Sequence, residues 1–246
     1  MDVQVTEVAP GVHQARTKHV SWVLLTDGDA VTLVDTGFPG DRQRLLTSLD
    51  RIGRSATDVA AVVLTHGHPD HIGSAEYLRA ELGIRIWAHE QEAANARGEH
   101  IEQVSLAMIL RRVWRPAVFL WVWDVTRLKG TRVERLGEVE LFGDQELDVP
   151  GHPVVVHTPG HTSGHCSLHL PDRGVLLAGD ALMTQQAIAR STGPQLLPDF
   201  LNTDTAQART SLQRLSALPA DVVVPGHGPA FHGSPQRAVE LALAMP

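Results

Sequence analysis

Residues 59–71 constrain this chain most tightly. An unbroken apolar run, Val59 to Thr65, leads directly into His66-Gly67-His68-Pro69-Asp70-His71. A continuous apolar run of that length reads as a strand buried on both faces. Four side chains able to bind metal then fall within six residues, in a turn stiffened by Pro69. The i, i+2 spacing of His66 and His68 lets both imidazoles reach one ion, leaving Asp70 and His71 to serve a second. Zinc accepts histidine nitrogen and carboxylate oxygen at roughly 2.0–2.2 Å. The plainer alternative is a surface histidine cluster that happens to follow a strand.

Three later segments end the same way. Val154 to Thr158 runs into Pro159-Gly160-His161, Leu176-Leu177-Ala178-Gly179 ends in Asp180, and Val222-Val223-Val224-Pro225-Gly226 ends in His227. Ligand sites of α/β folds collect at strand ends, and glycine beside each donor permits tight turns and close approach. Four strand ends each delivering a donor make chance clustering a poor account. Histidine is also in excess, 14 residues against five phenylalanines and one tyrosine, and its positions give that excess meaning.

The rest of the pattern alternates strands and helices. Strands are expected over Val3–Val8, Val12–Arg16, Val20–Thr26 and Ala30–Asp35, punctuated by Pro10-Gly11 and a hairpin signal at Asp27-Gly28. Helices are expected over Asp41–Ile52, Ile72–Leu82, Glu90–Arg97, Ile101–Trp114, Thr205–Leu218 and Pro235–Ala244, whereas Val118–Val125 reads equally as helix or strand. Further strands are expected at Ile84–Ala88, Arg132–Arg135, Glu138–Phe142, Cys166–Leu170, Val175–Ala178 and Asp221–Val224. His169, between Leu168 and Leu170, reads as a surface strand position.

Composition excludes several classes. Hydrophobic residues make up 43% and charged residues 20%, which suits a packed core rather than disorder. A net charge of −7 without a dense Lys/Arg run argues against nucleic acid. The lone Cys166 allows no internal disulfide and suits a reducing compartment. The opening residues lack a signal-peptide pattern, and arginines interrupt the most apolar stretch, Ile101–Trp123. The expectation is a cytoplasmic protein with a small-molecule substrate, no nucleic acid and no membrane.

On these residues the chain resembles the metallo-β-lactamase superfamily, including its glyoxalase II and lactonase branches, along nearly its whole length. The resemblance implies an α/β fold: an αββα sandwich of two mixed β-sheets with helices on the outer faces. Here that would be one domain, 1–246, with a mostly helical insert at about 98–130. It implies His66, His68 and His161 as ligands of one metal, Asp70, His71 and His227 as ligands of a second, and Asp180 as the bridge. Asp35, in Val34-Asp35-Thr36-Gly37, and His165 would support the ligands from behind. The implied cofactor is two divalent ions, zinc first, with Mn2+ or Fe2+ as alternatives. The implied reaction is hydrolysis, a metal-bridging hydroxide attacking an ester, thioester, lactone or amide carbonyl, with Asp70 and Asp180 as catalytic carboxylates. Two rival readings stay open: a mononuclear iron persulfide dioxygenase of the same fold, using His66, His161 and Asp180, and a non-catalytic accessory protein.

The insert is the main specificity signal. Trp114, Phe119, Trp121 and Trp123 concentrate aromatic residues in one segment. They fit a substrate-contacting lid over the metals, and they fit equally a helix packed on the core or a homodimer contact through the insert.

Overall fold

The computed structural model describes residues 2–104, 106–186, 188 and 191–245. The strands β1 (Gln4–Ala9), β2 (Val12–Arg16), β3 (Ser21–Asp27), β4 (Ala30–Val34), β5 (Val59–Val63), β6 (Arg85–His89) and β7 (Glu140–Phe142) form the first sheet, paired in chain order. Its first four strands are antiparallel and β4 to β7 run parallel. The second sheet comprises β8 (Val154–His157), β9 (Cys166–Leu170), β10 (Val175–Gly179), β11 (Val222–Pro225) and β12 (Phe231–His232), in the order β12-β11-β10-β9-β8. Within it β10 and β11 are parallel and the other neighbours antiparallel.

The hydrophobic pattern explains the stacking. Alternate strand residues face opposite ways, and β3 uses both faces: Trp22 and Leu24 join one apolar cluster, Val23 and Leu25 another. The first cluster packs against α1 (Arg42–Arg51) through Leu45 and Leu49, and against α3 (Ala75–Leu82) through Ala75 and Leu78. The second lies between the sheets, where Val63 of β5 meets Leu168 of β9 and Leu177 of β10. A third joins Leu176 and Ala178 of β10 to Leu212 of α7 (Thr205–Ser216) and Ala238 of α8 (Pro235–Ala244). Three apolar interfaces make four layers, helix, sheet, sheet, helix, so the αββα sandwich implied by the sequence is the fold observed.

The continuous run at residues 59–65 is buried on both sides for this reason: Val62 faces the α1 and α3 layer, and Ala61 and Val63 face the second sheet. The histidine loop leaves β5 and enters the short helix α2 (Pro69–Ile72), with Pro69 at its first position. Cys166 lies in the inter-sheet core.

Three expectations need correction. Residues 132–135 are not a strand: Arg135 Nη1 donates to the Gly67 and Asn95 carbonyls (3.0 and 3.1 Å), and Leu136 N–H donates to Ala96 O, so this stretch lies over the helix α4 (Ala93–Ala96) rather than on a sheet edge. The helix expected over Ile101–Trp114 is shortened to α5 (Leu106–Leu110). Pro116 starts a separate helix, α6 (Pro116–Arg127), and holds Arg115 in an extended conformation, as a following proline does. The open reading of Val118–Val125 is thereby resolved as helix. His169 is buried, with Nε2 donating to Pro219 O (2.8 Å), because the chain after α7 covers that face of β9.

Gly73 lets α2 and α3 dock on the loop after β4. Its N–H donates to Gly37 O (2.9 Å), and a Cβ there would overlap the backbone of Phe38 and Pro39. Gly73→Ala is expected to destabilise the protein by about 1–3 kcal/mol, read as a lower urea midpoint at unchanged slope; a wild-type midpoint would show that the two backbones are not in forced contact.

Candidate metal centre

The C-terminal ends of β4, β5, β8, β10 and β11 meet at one edge of the sandwich. Backbone bonds from Ser21 N–H to Gly226 O (2.7 Å) and from Cys166 N–H to Thr65 O (3.0 Å) hold the two sheets together there. Three sets of donor atoms converge at that edge: His66, His68 and His161; His66, His71 and Asp180; and Asp70, His71 and His227. Every set draws from both sheets, because His66 to His71 follow β5 whereas His161, Asp180 and His227 follow β8, β10 and β11. The structure thus brings together all seven residues that the sequence nominated as ligands.

A neutral imidazole carries one N–H and one lone pair, and the partner of one nitrogen decides which way the other faces. His68 Nε2 donates to Glu102 O (2.7 Å) and His227 Nδ1 to His19 O (2.5 Å). His71 Nδ1 donates to Asp35 Oδ2 (2.8 Å). Thr65 Oγ1 also donates to Asp35 Oδ2 (2.8 Å), so it accepts from His66 Nδ1 (3.0 Å). His161 Nδ1 faces Asn202 Oδ1 (3.2 Å). In the neutral form each of the five rings therefore turns a lone pair inward.

The inward atoms crowd together, and with those tautomers no hydrogen lies between the inward nitrogens of His66, His68 and His161. His68 Nδ1 lies 3.1 Å from His66 Nε2 and 2.9 Å from His161 Nε2. Asp180 Oδ2 lies 3.0 Å from His227 Nε2 and 3.4 Å from His161 Nε2, while its Oδ1 is 3.5 Å from His71 Nε2. His71 Nε2 and Asp180 Oδ1 are buried without a hydrogen-bond partner. Unpaired buried polar atoms of this kind are costly, and a set of imidazole and carboxylate donors around them suits a divalent cation. The donor set therefore fits metal.

The electrostatics agree. Burial, reinforced by neighbouring imidazoles, holds His66 well below the usual histidine range, and burial does the same for His161. Burial also works to lower His71, but the Asp180, Asp35 and Asp70 carboxylates outweigh it and raise that ring to about 10. Burial of Asp180 works to raise its pKa, yet His227 and His71 hold its carboxyl well below the usual carboxylate range. The carboxylates thus favour protonation at His71 and His227, whereas burial opposes it at His66, His68 and His161.

Supporting groups lie where the resemblance placed them, and others had no signal in the sequence. Asp35, at a left-handed φ of 63°, accepts from Thr65 N–H (2.9 Å), Thr65 Oγ1 and His71. His165 accepts the Asp180 N–H at Nε2 (2.9 Å) and reaches Thr158 Oγ1 through Nδ1 (2.9 Å), so it braces Asp180 instead of facing the donors. Glu92 went unnoticed. Its Oε1 accepts from Gly67 N–H (2.7 Å) and Asn95 Nδ2 (2.6 Å), and its Oε2 from Thr162 Oγ1 (2.6 Å) and Gly164 N–H (3.1 Å). One carboxylate thus joins the loop of His66 and His68 to the loop of His161. Burial pushes Glu92 up to about 7, and the bonds from Thr162, Asn95 and Gly67 act against that rise. Nothing in its spacing marked it, since its partners lie on distant loops.

A cavity of about 170 Å³ opens over the cluster. His68, Asp70, His161, Asp180 and His227 reach it, and Phe38, Ile109, Trp121, Val125, Leu197 and Leu201 wall it. Of the four insert aromatics singled out, Trp121 lines the cavity, whereas Trp114, Phe119 and Trp123 are exposed outside it.

Known proteins share this sequence pattern and fold. The sequence profile of the metallo-beta-lactamase superfamily matches residues 15–227. The chain is 27% identical to the probable metallo-hydrolase YflN of Bacillus subtilis, over 97% of this chain and 91% of that protein. It is 24% identical to the hydroxyacylglutathione hydrolase GloC of Haemophilus influenzae, over 82% of each. Among solved structures it resembles the metallo-beta-lactamase family protein TTHA1429 of Thermus thermophilus, with a TM-score of 0.67 and 30% identity, over 95% of this chain and 79% of that one.

Glu92→Gln would set an amide N–H against two of the four donors, and is expected to cost about 1–3 kcal/mol. Bound metal should fall with it as the two loops lose alignment, measured by thermal unfolding and metal analysis on the same sample. Unchanged stability and metal content would show that the carboxylate does not align the loops.

Proposed function

The chain belongs to the metallo-β-lactamase superfamily, and from that premise we propose that it is a binuclear metal-dependent hydrolase of a small ester, thioester, lactone or amide with an apolar acyl part. The observation that carries this reading is the set of seven converging donors, with His71 Nε2 and Asp180 Oδ1 left unpaired in the interior. His66, His68 and His161 would hold one divalent ion, Asp70, His71 and His227 the other, and Asp180 would face both; zinc is the first candidate. When bound, such a pair polarises a carbonyl oxygen and lowers the pKa of water toward ~7.

The remaining chemistry belongs to the chain. Asp70 is the cluster carboxylate most open to the cavity, and its Oδ2 lies 3.6 Å from His227 Nε2 and 3.9 Å from His71 Nε2. That position suits it to orient the attacking water and take its proton. His165 and Asp35 keep Asp180 and His71 from turning, so the donors need little rearrangement during reaction. Phe38, Ile109, Trp121 and Leu201 offer an acyl chain or ring an apolar wall. Among the described residues no lysine or arginine lines the cavity, which favours a neutral acyl group over one bearing carboxylates. A single buried thiol and no disulfide suit a cytoplasmic setting.

Metal analysis of protein purified without added metal is expected to give about two zinc or other divalent ions per chain, and Asp180→Ala should hold one or fewer with hydrolysis of test esters and thioesters down at least about a thousandfold. An active Asp180→Ala variant with full metal would overturn the bridging role. One iron per chain with oxygen uptake on a persulfide would support the dioxygenase instead. Trp121→Ala is expected to raise KM for apolar acyl substrates roughly tenfold with kcat little changed; identical kinetics on long-chain and acetyl esters would remove Trp121 from the substrate wall.

A further inference from the structure

Helix α6 is apolar on two sides. Val118, Trp121, Val122 and Val125 follow an i, i+3, i+4, i+7 spacing toward the cavity and core, while Phe119, Leu120 and Trp123 share the opposite face at 55–56% exposure. Leu110 at 58%, at the end of α5, and Trp114 at 78%, in the turn after it, are exposed as well. A helix with apolar residues on two opposite sides suits a place between two apolar surroundings, and among the described residues only its inner side is covered.

Charge indicates what the other is. From residue 106 to 132 the chain carries Arg111, Arg112, Arg115, Arg127, Lys129 and Arg132 against a single carboxylate, Asp124, in a protein of net charge −7. Asp124 is already engaged by Lys18 (2.6 Å) and His19 (2.9 Å). Exposed tryptophan and phenylalanine flanked by arginine is the composition of a helix lying in an anionic lipid interface. At 12 residues α6 is too short to span a bilayer, and among the described residues no helix is long and apolar enough to cross one. A two-fold pairing of this face with a second copy would bring like-charged arginines together, with the segment's one carboxylate, Asp124, already paired.

We propose that the outer face of α5 and α6 docks on an anionic phospholipid surface, a reading that departs from the expectation of no membrane contact. The inner face of the same helix lines the cavity, so docking would set the site one helix diameter, ~10 Å, from the lipid. Amphiphilic acyl compounds dissolved in that surface would then be the substrates within reach, a refinement that rests on the hydrolase reading; the docking itself does not.

The test is flotation of the purified full-length protein with vesicles of phosphatidylcholine alone and of equal phosphatidylcholine and phosphatidylglycerol, alongside tryptophan emission and sedimentation velocity. The expected result is binding to the anionic vesicles at least about tenfold tighter than to the neutral ones, weakened by salt, with a blue shift in emission. The variant F119S/L120S/W123S should lose vesicle binding, and R111E/R115E should lose the anionic preference while keeping the wild-type thermal transition. Absence of vesicle binding by the wild-type protein overturns the proposal, as does wild-type binding by both variants. A wild-type dimer that F119S/L120S/W123S makes monomeric, without vesicle binding, assigns the face to a second copy instead. None of these readouts uses turnover, so failure of docking and failure of the hydrolase reading are told apart.

Discussion

At five histidines of this protein one ring N–H is committed to a fixed acceptor, and the other ring nitrogens are pressed toward one another beneath the cavity. Such an arrangement is unfavourable by itself, because His71 Nε2 and Asp180 Oδ1 are buried without a hydrogen-bond partner. It persists because the surrounding chain over-determines it. The acceptors come from the loop after β4, the strand end at Thr65, the insert at Glu102, the segment before β3 at His19 and the turn before α7 at Asn202. Packing of both sheets must succeed before all five rings are aimed, so the donors report on the whole fold.

This explains why loops with little regular structure are so closely tied. Gly226 approaches the cluster so tightly that a Cβ there would overlap Asp180. Gly164 is pressed as closely on the backbone at Glu92, whose carboxylate collects four donors from two ligand loops. The apolar layers bring the strand ends to one edge. The polar contacts then set the final orientation of each side chain, a level of order that hydrophobic packing alone does not supply.

The fold was legible where local pattern and burial coincide. The run at residues 59–65 announced a strand with apolar neighbours on both faces, and four strand ends carrying donors located the edge where a site would form. The groups behind the ligands were legible only in part. Asp35 and His165 stood out because they sit in motifs. Glu92, Asn202 and the carbonyls of His19 and Glu102 serve through contacts far apart in sequence, and a carbonyl has no residue type to betray it. The segment at 132–135 has the composition of a strand yet is held over α4 by Arg135, an example of tertiary contact overriding local preference. In the insert, the aromatic content was plain but its direction was not. Trp121 and Trp123 differ by two residues, which on a helix separates inside from outside, and the choice between helix and strand was open there.

The distribution of donors between the sheets has a consequence for how the protein is made. Among the described residues no three-donor set lies on one sheet, since His66 to His71 come from the first and His161, Asp180 and His227 from the second. A chain emerging from the ribosome in order therefore has no complete set until residue 161 has been synthesised and the second sheet has begun to close on the first. Metal capture would then come late in biogenesis, as a latch on an assembled sandwich, and an ion's binding energy would stabilise the contact between the halves rather than the folding of either one.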